Sequence, residues 1–163
     1  MEATLKFKGY CVEHLSYKRN SKFWVEYASD QEPVTIDMQP RFTFEVALSS
    51  ETHLKANVLI GAEVGEDDGS ETMTPFRASA LIRGYFYITN DDYPREKAIR
   101  FYSQNAIAIL YPYLRSIISD ITGKGDHQPI ILPTLNIIKI AEEYEQKEGL
   151  LNDNDEIYED LVK

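Results

Sequence analysis

The sequence predicts an α+β protein in which a four-stranded antiparallel sheet is followed by two main helices. Three observations carry that prediction. Up to about residue 89 apolar side chains recur every second position, and beyond about residue 93 they recur every third and fourth. The strand-like runs are separated by short polar turns, which favours antiparallel neighbours joined as a meander. The chain has 163 residues and a mass of 18.8 kDa, the size of one ordinary domain. Surface scaling allows a chain of this size to bury about 70% of its extended area, enough for a core without staples.

The elements follow in order. Residues 4–18 alternate loosely, with Leu5, Phe7, Tyr10 and Val12 at inward positions. Residues 41–49 alternate cleanly, placing Phe42, Phe44, Val46 and Leu48 on one face and Thr43, Glu45 and Ala47 on the other. Residues 54–65 put Leu54, Ala56, Val58, Ile60, Ala62 and Val64 on one face. Residues 75–89 form the fourth strand, with Phe76, Ala78, Ala80 and Ile82 on one side and Leu81, Tyr85 and Tyr87 on the other. Both sides of that strand carry apolar residues, which calls for either helices on both faces or a partner chain.

Pro94 suits a helix start. Ile107, Leu110, Leu114, Ile117, Ile118 and Ile121 then make one apolar stripe at helical spacing. Pro112 lies inside that stripe and predicts a kink or break between Ala108 and Tyr111. Gly123 and Gly125 end the helix. A proline-punctuated connection, residues 126–135, leads to Asn136, a candidate cap for a last helix from Ile137 to about Lys147.

Charge marks a boundary and excludes several functions. The formal charge is -10, so neither a nucleic-acid backbone nor an anionic membrane is an expected partner. Residues 142–163 hold nine acidic and two basic side chains, and the first 141 residues hold 18 and 15. This divides the chain into a folded domain, 1–148, and an acidic tail, 149–163, expected to be solvated. One cysteine, Cys11, permits no internal disulfide, and its strand-like setting predicts a buried, inert thiol. No apolar stretch has the length of a signal-peptide core or a membrane helix, so the expected setting is cytoplasmic, without membrane insertion.

No catalytic constellation is readable. His14, His53 and His127 are dispersed, and no H-x-x-x-H or C-x-x-C spacing occurs, so no local metal site is expected. Gly123-Lys124-Gly125 lacks the upstream glycine and the following Ser or Thr of a phosphate loop, and reads as a helix stop. Glu66, Asp67 and Asp68 lack the alternating ligand spacing of a calcium loop and read as a hairpin turn. No G-x-S-x-G elbow is present. The chain is predicted to be no enzyme and to need no cofactor.

What remains is a surplus of apolar and aromatic residues, with 11 tyrosines and 7 phenylalanines. The segments RGYFYI, NAIAILYPYLRSIISDITGKG and QPIILPTLNI together resemble the SecB family of bacterial export chaperones. Gly84, Phe86, Pro112, Tyr113, Arg115, Gly125, Pro129, Pro133 and Asn136 carry the match, and the resemblance extends over roughly residues 4–145. It implies a nucleotide-independent holdase, assembled as a dimer or tetramer, that binds unfolded or precursor polypeptides in apolar grooves. Carried over by position, the peptide-binding candidates are Phe42, Phe44 and Val46 of the second strand and Phe76, Ala78 and Ala80 of the fourth. Leu132, Leu135, Ile137 and Ile140 are the candidates from the crossover and last helix.

Members of that family hand clients to the translocase motor SecA through an acidic sheet surface. Here the matching positions hold His14, Lys18 and Ser79, with Arg77 beside them, so that docking surface is not retained. The expectation is therefore a SecB-like chaperone serving protein export. The alternative is a SecB-like interaction protein dedicated to one fixed partner, such as an antitoxin.

Overall fold

The computed structural model describes residues 4–27, 38–66, 74–125 and 127–151. Its elements are β1 (Leu5–Arg19), α1 (Ser21–Tyr27), β2 (Arg41–Leu48), β3 (Lys55–Val64), β4 (Phe76–Ile88), α2 (Arg95–Gly123) and α3 (Ile137–Leu151). The α+β class and the boundaries of all four strands agree with the sequence to within a residue or so.

The strands are all antiparallel, in the order β1-β4-β3-β2. The expected meander therefore covers only β2 to β4. β1 pairs with β4, and the chain crosses from one sheet edge to the other before β2, which gives a Greek-key arrangement. The crossing contains α1, an element with no counterpart among the expected ones. Asn20 caps it by accepting the Phe23 amide at 3.3 Å while donating to the Thr74 carbonyl. Phe23 is buried beneath it, and the Trp24 indole donates to the Pro75 carbonyl. Seven residues are too few for a periodicity to register.

Cross-strand pairs fix the two faces of the sheet. Ala56, Val58, Ile60, Ala62 and Val64 of β3 and Phe76, Ala78, Ala80, Ile82, Phe86 and Ile88 of β4 are buried on one face. α2 covers that face with Ile107, Leu110, Leu114, Ile118 and Ile121. Gly84 makes the approach close, because a Cβ there would lie within 2.6–2.8 Å of the Leu110 methyls. Near the start of α2, the fully buried Tyr102 donates its hydroxyl to the Leu54 carbonyl at 2.7 Å.

β1 keeps its apolar residues on the helix side by two register shifts, between Phe7 and Gly9 and between Val12 and His14. Leu5, Phe7, Tyr10 and Val12 do share that face. As an edge strand, however, β1 reaches past α2, so Tyr10, Val12 and Leu15 stay 38%, 48% and 49% exposed. Cys11 points to the other face and is exposed, with its Sγ 3.7 Å from the Tyr85 hydroxyl. The expected buried thiol is thus corrected, because the same shifts that turn Tyr10 and Val12 inward turn Cys11 outward.

α2 is one continuous helix of 29 residues with Pro112 inside it. No break occurs. Pro112 and Ala108 lie on the exposed side, where water can satisfy the Ala108 carbonyl that a proline leaves without an intrahelical donor. Asn136 caps α3 as expected, accepting the Lys139 amide at 3.1 Å. α3 continues through Gly149 to Leu151, past the expected start of the tail, since a helix-interior glycine costs only about 1 kcal/mol. Residues 152–163, like Asp67 and Asp68 of the expected hairpin turn, lie outside the described residues.

Candidate functional site

Edge strand β2, the crossover of residues 127–136 and α3 enclose the apolar seam of the molecule. Period-two alternation sends Phe42, Phe44 and Val46 toward the helix side. The Phe42 and Phe44 rings stack at 6.0 Å, and Tyr111 of α2 meets Phe42 edge-on at 6.1 Å. Tyr111 also donates its hydroxyl to the Pro133 carbonyl, which holds the crossover against α2. Burial raises the Tyr111 pKa, and the nearby Arg115 guanidinium offsets part of that.

The other wall comes from Leu132, Leu135, Ile137 and Ile140. Leu132 is fully buried and anchors the crossover, and the other three are half-buried against the core. Tyr144 closes one end, its hydroxyl accepting the Val46 amide at 3.0 Å. That bond shows that the Val46 amide points out of the sheet edge. α3 reaches the β2 edge through Tyr144 at Val46, and packs on α2, where Arg100 meets Glu145 at 3.7 Å. Ile131 and Ile138, which the sequence did not single out, are 64% and 62% exposed on the outer rim of the same wall. Helical spacing identifies Ile138 as off the core stripe, yet nothing local marks it as a rim residue.

Seven of the ten candidates thus gather at this seam: Phe42, Phe44, Val46, Leu132, Leu135, Ile137 and Ile140. Phe76, Ala78 and Ala80 do not join them. They lie on a central strand beneath α2 and the crossover, with exposures of 2%, 0% and 2%, and the His127 ring stacks on Phe76 at 4.0 Å. In this conformation they offer no surface to a peptide, and the same holds for Val46 and Leu132 of the seam, at 6% and 0% exposure. The partly exposed candidates are Phe42, Phe44, Leu135, Ile137 and Ile140.

The opposite face of the sheet is mixed: Leu59, Leu81, Tyr85 and Tyr87 share it with a set of ion pairs. Glu63 bridges Arg77 at 2.6 Å and Arg41 at 3.0 Å. Burial alone would raise the Glu63 pKa, but the hydrogen bonds and charges of the two arginines hold it below the usual carboxylate value. Arg83 meets Glu13 at 2.6 Å, and His14 hydrogen-bonds Ser79 at 3.0 Å. The three histidines are engaged separately, His53 with the Tyr93 carbonyl and His127 with the Tyr17 hydroxyl. Among the described residues no cluster of His, Cys, Asp and Glu could hold a metal ion, and no helix is long and apolar enough to cross a membrane.

Comparison with known proteins adds three findings. The family model for SecB, described as preprotein translocase subunit SecB, matches residues 21–148. An uncharacterized protein of Methanocaldococcus jannaschii, MJ0357, is 26% identical over 136 residues, covering 83% of this chain and 81% of its own. Among solved structures, the fold is similar to Mycobacterium tuberculosis Rv1957, a SecB-like chaperone in complex with a ChAD peptide from the Rv1956 HigA1 antitoxin. The TM-score is 0.60 at 15% identity, over 82% of this chain and 91% of that one. A family model that spans most of the described chain, over the α+β order of strands and helices set out above, places this chain in the SecB family.

Proposed function

We propose that this protein is a nucleotide-independent holdase whose β2–crossover–α3 seam binds non-native polypeptide. The observation that carries the reading is the stacked pair Phe42 and Phe44, half-buried on an edge strand, with Tyr111 edge-on to Phe42 and holding the crossover through the Pro133 carbonyl. The crossover and α3 also expose Ile131 and Ile138. Apolar burial is non-directional, so such a surface accepts many sequences. At about 25 cal/mol per Å², covering some 400 Å² contributes about 10 kcal/mol before ordering costs. Most of that gain is lost in immobilising a disordered client. Several weak segments along one client restore affinity through effective concentration.

The working state in this reading is a homo-oligomer, dimer or tetramer, in the cytoplasm. Tyr10, Val12 and Leu15 support it, because they form an apolar strip on edge strand β1 that a second copy would cover. Precursor proteins bound for export are the proposed clients. Handover to SecA would need a docking mode other than an acidic sheet surface, since His14, Lys18, Arg77 and Ser79 occupy that face here.

One observation favours a second reading, dedication to a single partner. The Mycobacterium tuberculosis structure holds a peptide from an antitoxin, and a groove partly closed by its own Tyr144 suits one fixed sequence. Dilution of several unrelated denatured proteins separates the two: a general holdase keeps all of them from aggregating, and a dedicated one keeps none.

A further inference from the structure

The face of the sheet opposite α2 divides into two ends of different character. Toward Arg41 and Arg77 the cations are matched by Glu63, and Arg83 is matched by Glu13. Toward the β2–β3 turn, Lys6, Tyr87 and Lys55 share one cross-strand row, and Lys8 reaches over the Tyr87 ring at 4.9 Å. None of these three lysines has a carboxylate partner among the described residues. Two of them, Lys8 and Lys55, line an open, mainly apolar cavity of about 280 Å³ together with Asn57, Tyr85 and Tyr87, and Lys6 stands beside it, paired across the strands with Tyr87. A cavity with an aromatic floor and an uncompensated cationic rim suits an apolar side chain flanked by carboxylates.

The chain itself contains such a segment. Residues 152–163 read NDNDEIYEDLVK, with Ile157 and Tyr158 set between Asp155-Glu156 and Glu159-Asp160. α3 delivers that segment to the right end of the molecule. Its Tyr144 bonds the Val46 amide and its Glu145 meets Arg100 of α2, close to Tyr102, whose hydroxyl sits on the Leu54 carbonyl at the β2–β3 turn. Ser49, at that same turn, is part of the cavity wall. Passing around the β2 edge and across to β4 takes roughly 20 Å, one layer spacing plus two strand spacings. The six residues from Leu151 to Ile157 extend to about 20 Å.

We propose that the acidic segment 152–163 docks, within its own chain, into the Lys8–Lys55–Tyr85–Tyr87 cavity on the face opposite the groove. Ile157 and Tyr158 fill the cavity and the flanking carboxylates meet the lysines. Docking fastens the C-terminal end of α3, the helix that walls the groove, to the far side of the sheet. The site is separate from the client seam, so it stands or falls apart from the holdase reading.

Cys11, the single cysteine, is exposed beside Tyr85 and accepts a spin label in the full chain without any substitution. The expected result is that the amide signals of Glu156 to Leu161 lose most of their intensity in the labelled protein. They recover in Lys8→Glu/Lys55→Glu, and in 1 M salt, where the screening length falls to about 3 Å. In unlabelled full-length protein, replacing Asp155, Glu156, Glu159 and Asp160 by their amides should shift the Asn57, Tyr85 and Tyr87 amides. Sharp segment signals beside the label, with unmoved cavity signals in the amide variant, overturn the proposal. So does broadening that occurs only when label and observed segment are on different molecules, or a shift of Phe42 and Phe44 in place of the cavity residues.

Discussion

Tyr102 gives the packing of α2 on the sheet a pH signature. Its hydroxyl donates to the Leu54 carbonyl at 2.7 Å from a fully buried position. Tyr102→Phe removes that bond and keeps the ring, which should cost about 1 kcal/mol at neutral pH. Burial, outweighing the backbone hydrogen bond at Ile88, pushes the Tyr102 pKa from 10.0 up to about 12. A raised folded-state pKa means that the stabilisation is complete below pH 10 and is lost as pH rises toward 12. By linkage, the loss from this one group is about 1.4 kcal/mol at pH 11, roughly equal to the hydrogen bond's contribution. The other tyrosines titrate in both proteins and cancel in the difference. Urea unfolding of wild type and Tyr102→Phe should therefore show a gap of about 1 kcal/mol at pH 7 that closes or changes sign near pH 11. An equal gap at both pH values would refute the buried, hydrogen-bonded placement of Tyr102.

Three further outcomes follow from the same geometry. Gly84→Val drives a branched side chain into the Leu110 methyls and should cost about 1–3 kcal/mol, read as a lowered midpoint in thermal unfolding. Because the Glu63 pKa is held down by Arg41 and Arg77, its stabilisation is complete above the unfolded value of 4.5 and fades as pH falls through the lower folded value. Glu63→Gln should flatten that part of the acid-unfolding profile. Tyr144→Phe leaves the Val46 amide at the β2 edge without its hydroxyl acceptor. Amide hydrogen exchange at Val46 should accelerate severalfold while exchange at Val58, on the paired strand, stays unchanged.

Period was the legible part of this sequence. Strict alternation in β2 and β3 fixes which side chains share a face, and the stripe from Ile107 to Ile121 fixes how α2 lies on them. Asn136 could be read as a cap because its chemistry is local. Strand order was not legible, because β1 pairs with β4 across 57 to 83 residues, from Arg19–Phe76 to Leu5–Ile88, and nothing in either strand encodes the partner. The burial of Phe76, Ala78 and Ala80 escaped for a related reason. Alternation says that they share a face, but only the path of α2 and the position of His127 say that the face is covered. The groove walls at β2 and α3 rested on the family resemblance, and Ile131 and Ile138 at the rim carry no pattern that separates them from ordinary surface residues.

The central claim is that the Phe42–Phe44 seam holds non-native chains without nucleotide. Light scattering from a denatured model protein, diluted with and without this chain in the absence of ATP, tests it most directly when repeated with Phe44→Asp. The account predicts suppression of aggregation at near-stoichiometric ratios by the wild type and its loss in a folded Phe44→Asp variant. Equal suppression by both proteins would remove the seam from the function, and no suppression by either would contradict the holdase reading.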